Sequence, residues 1–154
     1  MQSLVKIVDG DICNAKEKYI VHQCNCVSKG ARGVAQTIFK KFPYSNVYAQ
    51  RTKHDVPGTI KICGNGVDKR FIIALFGQYG WGKPDNKNDS PEKRLNFFKS
   101  GLGKIAQIPN LESVAFPYLV GCASAGGNWE LYLQEIETFA AITQVPVVLY
   151  RYNP

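Results

Sequence analysis

The sequence is short of the features that mark several large classes of protein. Its longest uninterrupted apolar run, Phe71 to Phe76, is six residues, against the roughly 20 that a membrane-spanning helix needs. No such helix is expected. The opening Met1-Gln2-Ser3-Leu4 lacks the basic-then-apolar layout of a secretion signal, so a cytoplasmic location is expected, with the nucleus left open. There is no internal repeat, no low-complexity tract and no continuous basic run. Potential metal ligands are sparse. His22-x-Cys24-x-Cys26 is the one cluster of ligand types, whereas structural zinc sites usually draw paired ligands from two knuckles. No metal and no cofactor is expected. Five cysteines (Cys13, Cys24, Cys26, Cys63, Cys122) form an odd, scattered set that suits reduced thiols better than a disulfide framework.

What is present fits one globular domain over residues 1–154. Composition is 45% apolar and 20% charged, enough apolar material to exclude wholesale disorder. Nineteen Lys and Arg against twelve Asp and Glu leave a net charge of +7. That excess favours an anionic partner: nucleic acid, acidic protein or a phosphate-bearing small molecule. The cations come as separate pairs, Lys16/Lys18, Lys40/Lys41, Arg51/Lys53 and Lys69/Arg70, which also suit an ordinary solvated surface.

Runs rich in Val, Ile, Tyr and Phe predict strands over 3–8, 19–24, 59–63, 70–76, 113–119 and 145–150. Ala31, Val34, Ala35, Ile38, Phe39 and Phe42 recur at helical spacing until Pro43 ends the run. A short helix from 46 to 51 is expected, capped by Ser45. A long helix opens at Ser90-Pro91-Glu92 and buries Leu95, Phe98, Leu102 and Ile105. Another follows Asn128 as its cap, with Trp129, Leu133, Ile136, Phe139 and Ala140 as its buried stripe. Alternating strands and helices predict a three-layer α/β/α domain around a mixed sheet of about six strands. Ligands in such sheets gather beyond the carboxyl ends of the strands.

Two strand-to-helix loops stand out there. Asn25 to Gly33 carries two glycines, and Lys29 and Arg32 add positive charge. The helix behind it presents free N–H groups suited to phosphate. Gly121-Cys122-Ala123-Ser124-Ala125-Gly126-Gly127 is a run of seven small residues before the last helix, a surface against which an anion can lie. Neither loop is a Walker-type phosphate loop or a dinucleotide fingerprint. Together they point to a bound diphosphate.

In this order and spacing the motifs resemble the macro domain family, whose members bind ADP-ribose. Val8-Asp9-Gly10-Asp11-Ile12 resembles the family's opening signature, and Ile20 to Asn25 the strand that delivers its ribose-binding Asn. Gly33-Val34-Ala35 resembles its loop-to-helix junction, and Val120 to Glu130 its second phosphate loop. Pro57-Gly58-Thr59 and Leu75-Phe76-Gly77-Gln78 fit the middle. The resemblance implies that Asp11 accepts the adenine amino group beside Ile12, that both loops hold the diphosphate, and that Asn25 binds the distal ribose. In the second loop the lining positions are Gly121, Cys122, Ala123, Ser124, Ala125 and Gly126. Tyr150 or Tyr152 covers the adenine face, or packs at the sheet edge; both readings stand. Gln78, Tyr79 and Trp81 border the distal end.

Within the family the chain resembles most the branch of yeast-type and phage-type ADP-ribose-1″-phosphate phosphatases, through His22 to Cys26, Leu75 to Gln78 and Glu92-Lys93-Arg94-Leu95. A branch that frees glutamate side chains uses a Lys and an Asp. Here those positions hold Gly77 or Gln78, and Ala125, so that mechanism is not carried over. For a phosphatase, Asn25 would position ribose and water while His22 protonates the leaving oxygen. His22 is equally readable as a buried strand histidine. On a regular strand the two residues face opposite ways, so the strand must break near Cys24 for both to serve. Cys122 and Ser124 lack a partnering base and are read as lining.

Three functions remain: a hydrolase acting on the distal ribose, including 1″-phosphatase and mono-ADP-ribosyl or O-acetyl-ADP-ribose hydrolase, a non-enzymatic ADP-ribose reader, and a nucleic-acid binder. The last lacks a continuous basic–aromatic stripe. An ADP-ribosylated protein is a further candidate partner, and no membrane is expected.

Overall fold

The computed structural model describes residues 3–153. Six strands form one sheet: β1 (Val5–Asp9), β2 (Tyr19–Asn25), β3 (Ile60–Cys63), β4 (Phe71–Gln78), β5 (Val114–Pro117) and β6 (Val147–Arg151). Their spatial order is β1-β6-β5-β2-β4-β3. All pairings are parallel except β3 with β4, which is antiparallel. All six strands were legible in the hydrophobic pattern, with ends differing by no more than two residues.

The central strands are buried along nearly their whole length because helices cover both faces. Alternation then sorts their side chains. Val21, Ile73, Leu75, Phe116 and Leu149 join Phe98, Leu102, Ile105, Ile136 and Phe139 in one core. Ile20, Ile72, Ala74, Phe76 and Ala115 join Ile38, Phe39, Val47 and Tyr48 in the other. The first core lies under α3 (Pro91–Ile105) and α4 (Trp129–Thr143), the second under α1 (Gly33–Lys41) and α2 (Val47–Gln50). This is the expected α/β/α layering. The five cysteines are free thiols, all buried but Cys122.

The helix starts explain how the loops are placed. Ser90 accepts the Lys93 N–H at 3.1 Å and Pro91 follows it, as the sequence suggests. Asn128 likewise accepts from Glu130 N–H. α2 corrects the expectation: its cap is Asn46, whose Oδ1 accepts from Ala49 N–H, while the Ser45 hydroxyl donates to Phe42 O. Phe42 and Pro43 start a short 3-10 turn over Pro43–Ser45, which shifts the helix one residue along. α1 has no side-chain cap; Arg32 occupies that position in an extended conformation.

Ser90→Ala is expected to destabilise the fold by about 1 kcal/mol, read from the urea midpoint at unchanged m. A shift indistinguishable from zero would mean the α3 start is held by other contacts.

Candidate functional site

A cavity of about 830 Å³ opens beyond the carboxyl ends of β2, β4 and β5, lined by both loops. The sheet order makes this possible, because β2 pairs with both β4 and β5. The expected residues Asn25, Gly33, Val34, Ala35, Gly121, Cys122, Ala123, Ser124 and Ala125 all line it, with Lys29, Arg32, Gln78 and Trp81; Gly126, expected with them, lies beside Lys83 instead.

The cavity's chief resource is unpaired main chain. α1 lacks a capping side chain, and its first internal bond is Gln36 N–H to Arg32 O. The N–H groups of Gly33, Val34 and Ala35 are therefore without partners among the described residues. In the second loop, Cys122 N–H bonds Leu119 O, Gly126 N–H bonds Ala123 O and Gly127 N–H bonds Gly121 O. Those bonds leave Ala123, Ser124 and Ala125 N–H without partners among the described residues. Two sets of donors thus line one cavity, one of them at the positive end of a helix. Both turns need glycine, since Gly33 has φ 61° and Gly121 has φ 77°. A Cβ on Gly121 would also fall 2.5 Å from the Tyr132 ring.

Asn25 is 6% exposed and fixed at every point but one. Its Oδ1 accepts from Val27 N–H at 3.0 Å and Ser28 N–H at 2.8 Å, shaping the first loop. Its N–H donates to Tyr48 Oη at 2.8 Å, and its carbonyl accepts from Arg51 Nη2 at 2.9 Å. The side-chain Nδ2 has no partner among the described residues and is left as a donor. The break near Cys24 is present as a register shift between Cys24 and Asn25.

His22 lies at the cavity floor but is only 1% exposed. Its ring meets Phe39 edge-on, and its near polar neighbour is Cys24 Sγ at 3.7 Å. Burial without a charged partner lowers its pKa to about 4. At neutral pH the ring is neutral and enclosed, which argues against the expected proton-donating role. Burial raises the Cys122 thiol to about 11, so it lines the cavity as a thiol and not as a nucleophile.

The residues expected at the adenine end do not line this cavity. One Asp11 carboxylate oxygen accepts Cys13 N–H at 2.9 Å, and Ile12 is buried in the α1-side core. The Tyr150 hydroxyl donates to Glu17 Oε1 at 2.6 Å, and its ring lies beside Gly10. Tyr152 is 71% exposed. Asp11 and Tyr150 nevertheless lie at the carboxyl ends of β1 and β6, the strands next along the sheet from β5.

Buried polar groups hold the walls, among them Asp89, which no motif in the sequence singled out. Arg94 and Asp89, each 2% exposed, pair at 2.9 Å. Arg94 also donates to the carbonyls of Gly80, Gly82 and Ala125, while Asp89 accepts Tyr79 N–H. One guanidinium therefore ties the Trp81 loop to the second loop. The available signal was position: Arg94 falls four residues before Phe98, on the buried stripe of α3. Gln78 Nε2 donates to Gly80 O, and its Oε1 accepts from Gln23 Nε2, both at 2.8 Å. Tyr79 itself turns away to meet His54. Lys29 Nζ is held on Arg51 O at 2.7 Å.

No protein-family model matches the chain, and no curated protein sequence does. Solved structures do match it. The macrodomain of Mycobacterium tuberculosis DarG superposes with a TM-score of 0.77 over 99% of this chain and 100% of that one, at 18% identity. The macrodomain of Thermus aquaticus DarG gives 0.67 over 97% and 98%, at 22% identity. The Trypanosoma brucei macrodomain in complex with ADP-ribose gives 0.68 over 96% of this chain and 63% of that one, at 15% identity. The chain has the macrodomain fold.

The His22 pKa carries a testable consequence. Unfolded, the imidazole titrates near 6.5, so between about 6.5 and 4 the unfolded chain binds more protons. Stability from this group is present above 6.5 and is lost as pH falls, by about 2 kcal/mol from pH 7 to 5. His22→Leu is expected to flatten urea-measured stability across that range. An unchanged slope in the variant would contradict the buried neutral ring.

Proposed function

We propose that this protein binds ADP-ribose, and that its substrate is a derivative substituted on the distal ribose. The observation that carries the first part is the convergence of unpaired N–H groups at 33–35 and 123–125 on one cavity. A diphosphate offers acceptors to both sets at once, without a large formal charge in the wall. The Asn25 Nδ2 donor sits where the first loop leaves β2, suited to a ribose hydroxyl. Asp11 is the proposed acceptor for the adenine amino group, through the carboxylate oxygen not spent on Cys13. The Trypanosoma brucei macrodomain was solved with ADP-ribose, which supports the choice of ligand.

The finer reading is hydrolysis of ADP-ribose-1″-phosphate, supported by the resemblance of 22–26, 75–78 and 92–95 to that phosphatase branch. No carboxylate lines the cavity among the described residues, and His22 is neutral and enclosed. The proton therefore comes from the substrate. Water attacks phosphorus, the P–O1″ bond breaks, and the proton of the phosphate monoanion passes to the leaving oxygen. The products are inorganic phosphate and ADP-ribose. Asn25 holds the ribose in place for that step.

Calorimetric titration is expected to show ADP-ribose binding at least about tenfold tighter than AMP. Absence of heat with ADP-ribose would remove the proposal and bring forward nucleic acid as the partner of the basic surface. Phosphate release from ADP-ribose-1″-phosphate is expected to fall about 100-fold in Asn25→Ala. The rate should also decline above about pH 6, as the phosphate monoanion is lost. A rate that instead rises through neutral pH would indicate a protein base, and binding without turnover would leave the protein a reader.

A further inference from the structure

We infer that Tyr48 and Arg51, on and just after α2, are positioning residues for Asn25, acting together as a clamp on its two main-chain groups. This rests on the reading of Asn25 as the distal-ribose donor. Asn25 follows the register shift at the end of β2, where its partner on β4 is Gln78, one residue beyond the regular register. Both of its main-chain groups go to side chains from α2: N–H to Tyr48 Oη and C=O to Arg51 Nη2. The two clamping side chains support each other, with the Arg51 guanidinium 4.7 Å from the Tyr48 ring centroid. Phe76 lies beyond, 5.9 Å from the same guanidinium.

Arg51 is a poor choice for stability alone. Its side chain is 3% exposed, its Nε and Nη1 are buried without a hydrogen-bond partner among the described residues, and its ion pair with Asp55 is 3.4 Å long. A buried charge so incompletely paired contributes little net stability of its own, and removing it alone leaves Asp55 and the Asn25 carbonyl without their partner. What an apolar side chain cannot supply is the hydrogen bond to the Asn25 carbonyl. Tyr48 is similar: a phenylalanine would fill the same space but leave Asn25 N–H unpaired. Lys29, anchored on Arg51 O, ties the first loop to the same clamp. Sites held this way are rigid because their supporting groups are themselves locked by packing.

The test compares binding of ADP-ribose with that of ADP, which keeps the diphosphate and lacks the distal ribose. Arg51→Met and Tyr48→Phe are each expected to lose roughly tenfold in ADP-ribose affinity, about one hydrogen bond's worth. ADP affinity should stay unchanged, while both variants unfold at a lower urea midpoint because a buried main-chain group of Asn25 loses its partner. A merely structural role would weaken both ligands together. That outcome, or an unchanged ADP-ribose to ADP ratio in both variants, would overturn the inference. A wild-type protein that does not prefer ADP-ribose over ADP would instead defeat the reading of Asn25. The clamp is then judged without ligand, from the Asn25 side-chain amide resonances. They should be sharp in the wild type and broadened in both variants, and identical spectra would overturn it.

Discussion

Six backbone N–H groups without partners among the described residues, gathered beyond the parallel strands of a mixed sheet, are the constraint from which the rest of this structure follows. An N–H withdrawn from the helix or strand pattern takes its acceptor from water or from a ligand. The chain leaves two sets of them facing a single cavity. That arrangement depends on β2 and β5 lying side by side, so that the loops leaving them meet. It depends equally on positive φ at Gly33 and Gly121, a conformation that the turns of both loops require and glycine adopts freely. The net charge of +7 adds a favourable field, but the specificity lies in where the amides point.

Around the donors, buried polar side chains hold loops in place more than they stabilise the fold. Arg94 joins the Trp81 loop, the second loop and Asp89 through one planar group, a task suited to a guanidinium's fixed fork of donors. Arg51 and Tyr48 do the same for Asn25 from the opposite face of the sheet. Isolated buried ion pairs contribute little net stability, so their value here is geometric. The opposite holds for His22, where burial against Phe39 takes a side chain of obvious catalytic type out of service.

Much of the fold was legible because it is periodic. The six strands and the three long helices announce themselves through spacing, and Ser90-Pro91 and Asn128 mark two helix starts by residue type alone. The loops were legible for the same local reason, through glycine and small residues at strand exits. What depends on tertiary placement was not. Ser45 and Asn46 are both competent caps, and only the preceding 3-10 turn decides between them. His22 reads alike whether exposed or enclosed until α1 packs over it. The partners of Arg51 and Arg94 are carbonyls up to 31 residues away, which no local spacing encodes. The adenine end shares this difficulty, since Asp11 and Tyr150 lie at strand ends as expected while their side chains bond Cys13 and Glu17.

The central claim is that main-chain amides of the two loops hold a diphosphate. It is tested most directly by following backbone amide resonances during titration with ADP-ribose. The account predicts the largest shifts at Gly33, Val34, Ala35, Ala123, Ser124 and Ala125, moving together with one affinity. Shifts confined to the basic surface pairs such as Lys40/Lys41 and Lys69/Arg70, with both loops silent at saturation, would contradict it.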